Sequence, residues 1–334
     1  MKWYIIKRLG QVIPVIIGVS IIAFSLMHLV PGDPARTMLG ERANQEQLNI
    51  IREKYGLDKP LIIQYGIWFK DAIQGNLGRS ITSHDYVLKE IFNRLPNTIE
   101  LSITAMIFAI IIGCIGGIIS ATKQYSITDY ICMGIALFGI SIPVFWLGIM
   151  LMMIFGVYLG WLPIGGRIDL LIPFYSVTGF MVLDSIITGN FPALISVLRH
   201  LILPTIALGT IPMAIIARVT RSSMLEVLRQ DFIRTERAKG LSEKIVIYKH
   251  AVRNAMIPVV TVIGLNFGLL LAGAILTETV FSWPGVGSLV VKAVYERDYP
   301  LVLGSILIFA IIFVIVNLIT DIFYTYIDPR IHYD

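Results

Sequence analysis

The sequence predicts an all-α integral membrane protein that crosses the bilayer six times. Three observations carry that expectation: 56% of the 334 residues are hydrophobic, only 15% are charged, and the mean hydropathy is +0.78. Soluble domains carry about a quarter of their residues as charges, and long stretches here carry none. The apolar runs are also of spanning length, since a hydrocarbon core of about 30 Å needs roughly 20 helical residues.

The first run, Leu9 to Val30, follows Lys2, Lys7 and Arg8 and so resembles a secretory signal. It is longer than a signal core and ends in Val30-Pro31-Gly32-Asp33 rather than at small residues, so an uncleaved anchor is expected. Residues 1–30 then form the N-terminus and first span. The segment 31–96 has the pattern of small helices: "NQEQLNIIREKYGL" places Leu48, Ile51 and Tyr55 at helical spacing before Gly56, and "IIQYGIWFKDAIQ" repeats an amphipathic pattern before "GNLGRS". A helical insertion capping the outer mouth is expected, with an inert decorated loop as the alternative.

The second run is Ile99 to Ala121, and the third, Tyr130 to Trp161, is overlong and therefore tilted or protruding. The stretch Leu170 to Leu198 is interrupted by Pro173, Asp184, Gly189, Asn190 and Pro192. It reads as extracytoplasmic or re-entrant, within a segment 162–200. Leu201 to Ala217, Met256 to Thr277 and Leu301 to Tyr326 complete the six, leaving 327–334 as a tail.

Orientation follows from the loop between the fourth and fifth runs. Arg218, Arg221, Arg229, Arg234, Arg237, Lys239, Lys244, Lys249 and Arg253 make 218–255 the richest in basic residues, hence cytoplasmic. Six spans then put Lys123 and both termini inside. The segment 31–96 is also basic, but loops beyond about 60 residues translocate largely regardless of charge. The net charge of +5 is explained by the cytoplasmic loop, so no nucleic-acid partner is implied.

Catalytic chemistry has no visible seat. There is no phosphate loop and no H-E-x-x-H pair; Gly139 and Ser141 begin a G-x-S-x-G-like string that ends on Pro143. No cofactor or metal spacing occurs, and Cys114 and Cys132 both lie in apolar runs as packing residues. The spans Ile99 to Ala121 and Leu201 to Ala217 hold no acidic or basic side chain inside their Glu100 and Arg218 boundaries, and Asp321, Glu278 and His28 lie near span ends. That weakens a proton-coupled carrier and leaves a channel open.

Inside the spans, Gly113 to Gly117, Gly156 to Gly160 and Gly264 to Gly268 form G-x-x-x-G seams suited to close helix approach. Pro143, Pro204, Pro212 and Pro258 remove backbone donors, so kinks are expected. Asn266, in mid-span, is either helix glue or pore lining, and the Ser141-Ile142-Pro143 kink is a second candidate for the translocation pathway.

The basic loop has more pattern than solvation requires. Leu225, Leu228, Phe232, Thr235 and Ala238 form one helical stripe from Ser222 onward, with Arg229, Glu236 and Arg237 elsewhere around the helix. Gly240 stops that helix, and Ser242 is an N-cap for a second one through Ile245, Tyr248, Ala251 and Val252. Helix, glycine, helix and span together describe a docking element.

At these residues the chain resembles the permeases of binding-protein-dependent ABC importers, whose cytoplasmic loop carries E-A-A-x-x-x-G. Aligning on Gly240 puts Arg234, Thr235 and Glu236 at the E-A-A positions, so only the glycine matches the general consensus. The oligopeptide/dipeptide branch fits better: "IRTERAKGLSEKIVIYKHAVRNAMIPVV" is similar to its R-T-x-R-A-K-G-L-S-E followed by H-A-x-R-N-A-x-I-P, with Glu236 standing where a small residue is expected. "LVPGDPA", "YGLDKPLIIQY", "GNLGRS", "RLPNTIEL", "GRIDL", "TGFMVLDSIITGN" and "ETVFSWPGVG" extend the likeness over nearly the whole chain.

The resemblance implies a type I importer permease with its core from Asn97 to Tyr326, in a bacterial or archaeal cytoplasmic membrane. It implies a second homologous permease subunit, two ATPases that bind ATP and Mg, and an extracytoplasmic substrate-binding protein. Coupling to the ATPases would fall on Arg234, Thr235, Glu236, Arg237, Ala238, Lys239, Gly240 and Leu241, with Pro258 as a hinge in the next span. Relatives in this branch import dipeptides, oligopeptides, glutathione, nickel chelates or oligosaccharides. A stand-alone channel, a secondary carrier or a membrane-embedded enzyme is the competing class.

Overall fold

A computed structural model of the chain describes residues 2–29, 36, 44–56 and 58–327. Among these the structure is helical, and the one extended pairing is a bridge between Arg79 and Tyr86. The expected tail from 328 onward and the "LVPGDPA" segment lie wholly or largely outside the described residues.

The chain divides into two compact units, 1–96 with 285–315 and 97–284 with 316–334. In the first, α1 (Lys2–Leu29) is a 28-residue helix, about 42 Å at 1.5 Å per residue and long enough to span. Its Phe24 packs edge-on against Tyr65 and beside Trp68 of α3 (Leu61–Ile73), and the Ser20 and Tyr65 hydroxyls meet at 2.8 Å. Between them, α2 (Gln45–Tyr55) forms for the reasons legible in its sequence. Asn44 accepts from the Gln47 amide, Gln47 accepts from the Asn44 amide, and Gly56 ends the helix at φ +64°.

A second core in this unit joins Leu77, Val87 and Ile91 to Val286, Leu289 and Ala293 of α12 (Val286–Tyr295) and to Leu301, Val302 and Leu307 of α13 (Tyr299–Ile327). Fully buried Asp298 begins α13: its Oδ1 accepts from the Leu301 amide, and its Oδ2 from the Ser80 hydroxyl at 2.6 Å and the Thr82 amide.

The second unit is organised by α8 (Phe191–Leu228), a 38-residue helix packed against α11 (Val252–Val280) and α5 (Ile127–Ser141). At this length, about 57 Å, it exceeds the hydrocarbon thickness, so it must project beyond the apolar layer. The expected run Leu201 to Ala217 is only its middle. The stretch Leu170 to Leu198 therefore divides: 171–180 is irregular, α7 (Met181–Ile187) is short, and from Phe191 the chain is already α8. Pro192, read as an interruption, instead occupies the first helical turn, where its missing amide is no loss, and Asn190 caps the helix through the Ala193 amide at 3.1 Å.

Two other expectations change. The second apolar run is part of a longer helix that begins at Val87 and not near Ile99, because α4 (Val87–Thr122) runs unbroken through Pro96. The single overlong span Tyr130 to Trp161 is a broken one: α5 and the following helix, α6 (Val144–Leu151) continued by a π-helical stretch Met152–Tyr158, meet at 108°. Proline explains the break. Pro143 disfavours helical geometry in Ile142, which sits extended at φ −91°, ψ 131°.

Of the glycine seams, Gly113 and Gly117 behave as expected. A Cβ at Gly113 would lie 2.7 Å from the Met213 carbonyl and one at Gly117 2.6 Å from that of Ala217, both on α8, so backbones meet directly. Gly209 of α8 reciprocates against the Ala105 carbonyl of α4 at 2.7 Å. Gly156 and Gly160 form no such seam. Gly156 faces Ile164 of the following loop, and Gly160, at φ +61°, turns the chain out of the helix.

Candidate functional site

The expected helix from Ser222 to Ala238 breaks in two. α8 ends at Leu228, Arg229 and Gln230 turn the chain, and α9 (Asp231–Ala238) starts afresh. The break shifts the register. Leu225, Leu228 and Phe232 still face inward, but Thr235 and Ala238 are exposed and Ile233 is fully buried in their stead. Ile233 joins Met224, Val227, Val246, Ala251 and Ala255 in a small core, with Leu241 packed against it. The amphipathic helix is thus glued down by one side only.

Its other side carries the residues singled out in the sequence. Arg234 reaches Asp231 at 3.4 Å, the Thr235 hydroxyl donates to the Asp231 carbonyl, and Lys239 reaches Glu236 at 2.9 Å. That lysine holds the Glu236 carboxyl below its usual range, so it stays ionised. Arg237 makes two bonds to Glu243, at 2.6 and 3.2 Å, tying α9 to the start of the next helix. Because these pairs are exposed, their value lies in fixing orientation more than in stability.

The turn between the helices is made by Gly240 at φ +80°, its amide donating to the Arg237 carbonyl at 3.0 Å. Ser242 occupies the N-cap position, as expected, but its side chain makes no capping bond. The second helix does not stop before the span. α10 (Glu243–Ile245), a π-helical stretch Val246–Ala251 and α11 follow one another without a break, so the glycine turn is joined to a spanning helix by continuous helix. The π-helical stretch comes before Pro258, which lies inside α11.

The pathway candidates lie elsewhere. Ser141 is at the end of α5, bonded to the Leu137 carbonyl, and Pro143 is the N-cap position of α6, so both sit at the 108° break. Asn266 is buried, and its amide donates to the Val262 carbonyl one turn back at 2.8 Å. That bond is within its own helix.

Sequence reading missed a buried polar knot at the other end of the second unit. Arg167, 7% exposed, donates to Asn97 Oδ1 and to Glu100 Oε2, each at 2.5 Å, and lies 5.3 Å over the Trp283 ring. Trp283 Nε1 donates to the Asn97 carbonyl, Asn97 Nδ2 to the Pro284 carbonyl, and the Val182 amide to Glu100 Oε1. Beside it, Thr98 donates to fully buried Glu278 at 2.6 Å. Asp184 closes the loop by accepting from Ser176, Val177, Thr178 and Gly179. Four of the sequence segments quoted above, "RLPNTIEL", "GRIDL", "TGFMVLDSIITGN" and "ETVFSWPGVG", thus fold into one network. The available signal was charge in otherwise apolar surroundings.

At the basic end, Arg221 grips Asp129 with two bonds of 2.8 Å, and Asp129 also accepts from the Tyr125 amide and the Ser120 hydroxyl.

The chain is 54% identical to the dipeptide transport system permease protein DppB of Alkalihalophilus pseudofirmus, over the full length of both. It is 48% identical to the di/tripeptide transport system permease protein DppB of Pseudomonas aeruginosa, covering 100% and 99% of the two chains. It is 42% identical to the glutathione transport system permease protein GsiC of Escherichia coli, covering 99% of each. A solved structure of the MetNI methionine ABC transporter shares the fold at a TM-score of 0.51 and 16% identity, over 70% of this chain and 93% of that one. The pattern of the N-terminal membrane component of binding-protein-dependent transport systems matches residues 1–102. With residues 110–333 matching its main pattern, the chain belongs to the family of binding-protein-dependent transport system inner membrane components.

Proposed function

We propose that this permease forms part of the pathway by which di- and oligopeptides, delivered by an extracytoplasmic binding protein, enter the cell at the expense of ATP hydrolysed in separate subunits. The observation that carries the coupling step is the left-handed Gly240 turn, which joins a surface helix with a charged outer side to a spanning helix through unbroken helical backbone. A chain that borrows its power stroke needs such a handle.

In this reading, Arg234, Thr235, Glu236, Arg237, Ala238, Lys239, Gly240 and Leu241 dock on an ATPase that binds ATP and Mg. Two such ATPases and a second homologous permease complete the assembly. Both termini and the basic loop face the cytoplasm. Closure of the ATPase pair moves the docked helix, and the rod from Glu243 carries the motion into α11, with Pro258 as its hinge. Pro258 supports a hinge because it leaves the Asn254 carbonyl without its helical donor. The Ser141 and Pro143 break and Asn266 line the path.

The names of the full-length relatives support peptides as the solute. A glutathione permease at 42% identity supports a second reading, since glutathione is itself a tripeptide.

The test is recovery of the tagged chain from its native cells in mild detergent, with identification of partners and an ATPase assay. A second permease and ATPase subunits should co-purify, with hydrolysis stimulated by a co-recovered binding protein. A homogeneous particle without ATPase that still transports after reconstitution would overturn the reading.

A further inference from the structure

We propose that the groove on the basic end of α8 binds the headgroup of an anionic phospholipid. Met133 of α5 and Arg218, Arg221, Ser222, Leu225, Glu226 and Arg229 of α8 line a cavity of about 620 Å³, within the range of small-molecule sites. The residues recur along one face of the helix, and Arg218 and Arg229 are the first and last of them along α8. Arg218 and Arg229 are exposed, whereas Arg221 is oriented by its two bonds to Asp129, itself almost fully buried.

Charge selects the ligand. Arg221 and Asp129 neutralise one another, and Glu226 offsets one of the remaining two guanidiniums. The groove is left with a single net positive charge, which matches the single negative charge of a phosphodiester. Arginine suits that group because its planar fork donates to two oxygens at once.

Position selects a lipid rather than a soluble anion. The groove lies where two apolar helices end, and Tyr125 and Tyr130 beside Asp129 are exposed, as aromatic residues are at the level of headgroups. Next to it, α5 exposes Ile127, Ile131, Ile135 and Phe138, an apolar surface on which acyl chains can lie. Basic pockets between spanning helices are a recognised chemistry for anionic headgroups. The inference needs only the membrane boundary and is independent of the solute transported.

The test titrates the full-length chain, in mild detergent, with phosphatidylglycerol and with phosphatidylcholine, counting retained lipid by native mass spectrometry. Phosphatidylglycerol should be retained in preference, and Arg218→Gln/Arg229→Gln should lower that preference at least about fivefold, the effect of one surface cation. Arg218→Lys/Arg229→Lys should retain most of it. Glu226→Gln should raise it about as much, a gain that misfolding cannot mimic. Lys123→Gln/Lys244→Gln, also at the basic end, should leave it unchanged. Equal retention of the two lipids, no response to the arginine or Glu226 variants, or an equal response to the lysine variant would overturn the proposal. So would displacement of the lipid by excess inorganic phosphate, which would make the groove a small-anion site. Retention by the isolated chain but not by the assembled complex would mark it as a protein interface and overturn it as well.

Discussion

Gly240→Val is expected to leave the chain in the membrane at wild-type levels while abolishing ATP-driven uptake. The argument is conformational. Gly240 sits at φ +80°, and a Cβ there would meet nothing within 4 Å, so a larger side chain is refused by the backbone and not by its neighbours. A β-branched residue held in that region costs about 1–3 kcal/mol. The turn is exposed and can relieve the strain by changing its geometry, which re-aims α9 relative to the rod that starts at Glu243. The buried anchor, Ile233, is untouched, so insertion and folding survive. ATP hydrolysis, no longer tied to the spans, should continue or fall only in part. Asparagine tolerates the left-handed region, so Gly240→Asn should restore most of the uptake. Normal uptake by the valine variant, measured at equal expression, would defeat the coupling assignment.

Arg167→Met should destabilise the second unit by about 3–5 kcal/mol, the usual consequence of stranding one partner of a buried ion pair. Methionine fills much of the space but leaves Glu100, itself buried, with only the Val182 amide among the contacts described above. Asn97 also loses the donor to its Oδ1 and Trp283 the cation over its ring. Removing both charges should repair much of the damage. Arg167→Met/Glu100→Gln should recover more than half of the lost stability, because a neutral amide is far cheaper to bury than an unpaired carboxylate. Thermal unfolding of the purified chain in detergent measures both. A single variant within about 0.5 kcal/mol of wild type would mean that the pair does not hold the 166–180 loop in place, since surface substitutions are the class that falls in that range.

The two regions differ in how far the sequence exposed them. Gly240 was legible because its role is local: a glycine after a helical pattern and a capping residue two places on suffice to place a left-handed turn. The same reading misplaced the stripe by joining Ser222 to Ala238 in one helix, since no proline or glycine marks the turn at Arg229 and Gln230. Ile233, the residue that anchors α9, was hidden by that error of register. The knot around Arg167 was not legible at all as a site, because the bonds that tie Asn97 and Glu100 to Arg167 and Pro284 join residues 67 to 187 positions apart and no local period encodes them. What could be read was its parts, as separate short strings.

Among the spans, length and apolarity sufficed to place α11 and α13, and the apolar part of α4. They failed at Tyr130 to Trp161, where a uniformly apolar string looks the same whether the helix is straight or bent, and the break was announced only by Pro143. Pro192 was misjudged for a related reason. The same residue that breaks a helix in its interior starts one in its first turn, and position in the helix decides which.

The most direct measurement is uptake of a labelled dipeptide into vesicles reconstituted with the chain and its co-purified partners, with ATP supplied on the ATPase side and the binding protein on the other. Accumulation that requires ATP, the binding protein and an intact Gly240 turn together is the predicted result. Dipeptide movement by the chain alone, unaffected by ATP or by Gly240→Val, would contradict the account and make this permease a channel or carrier in its own right.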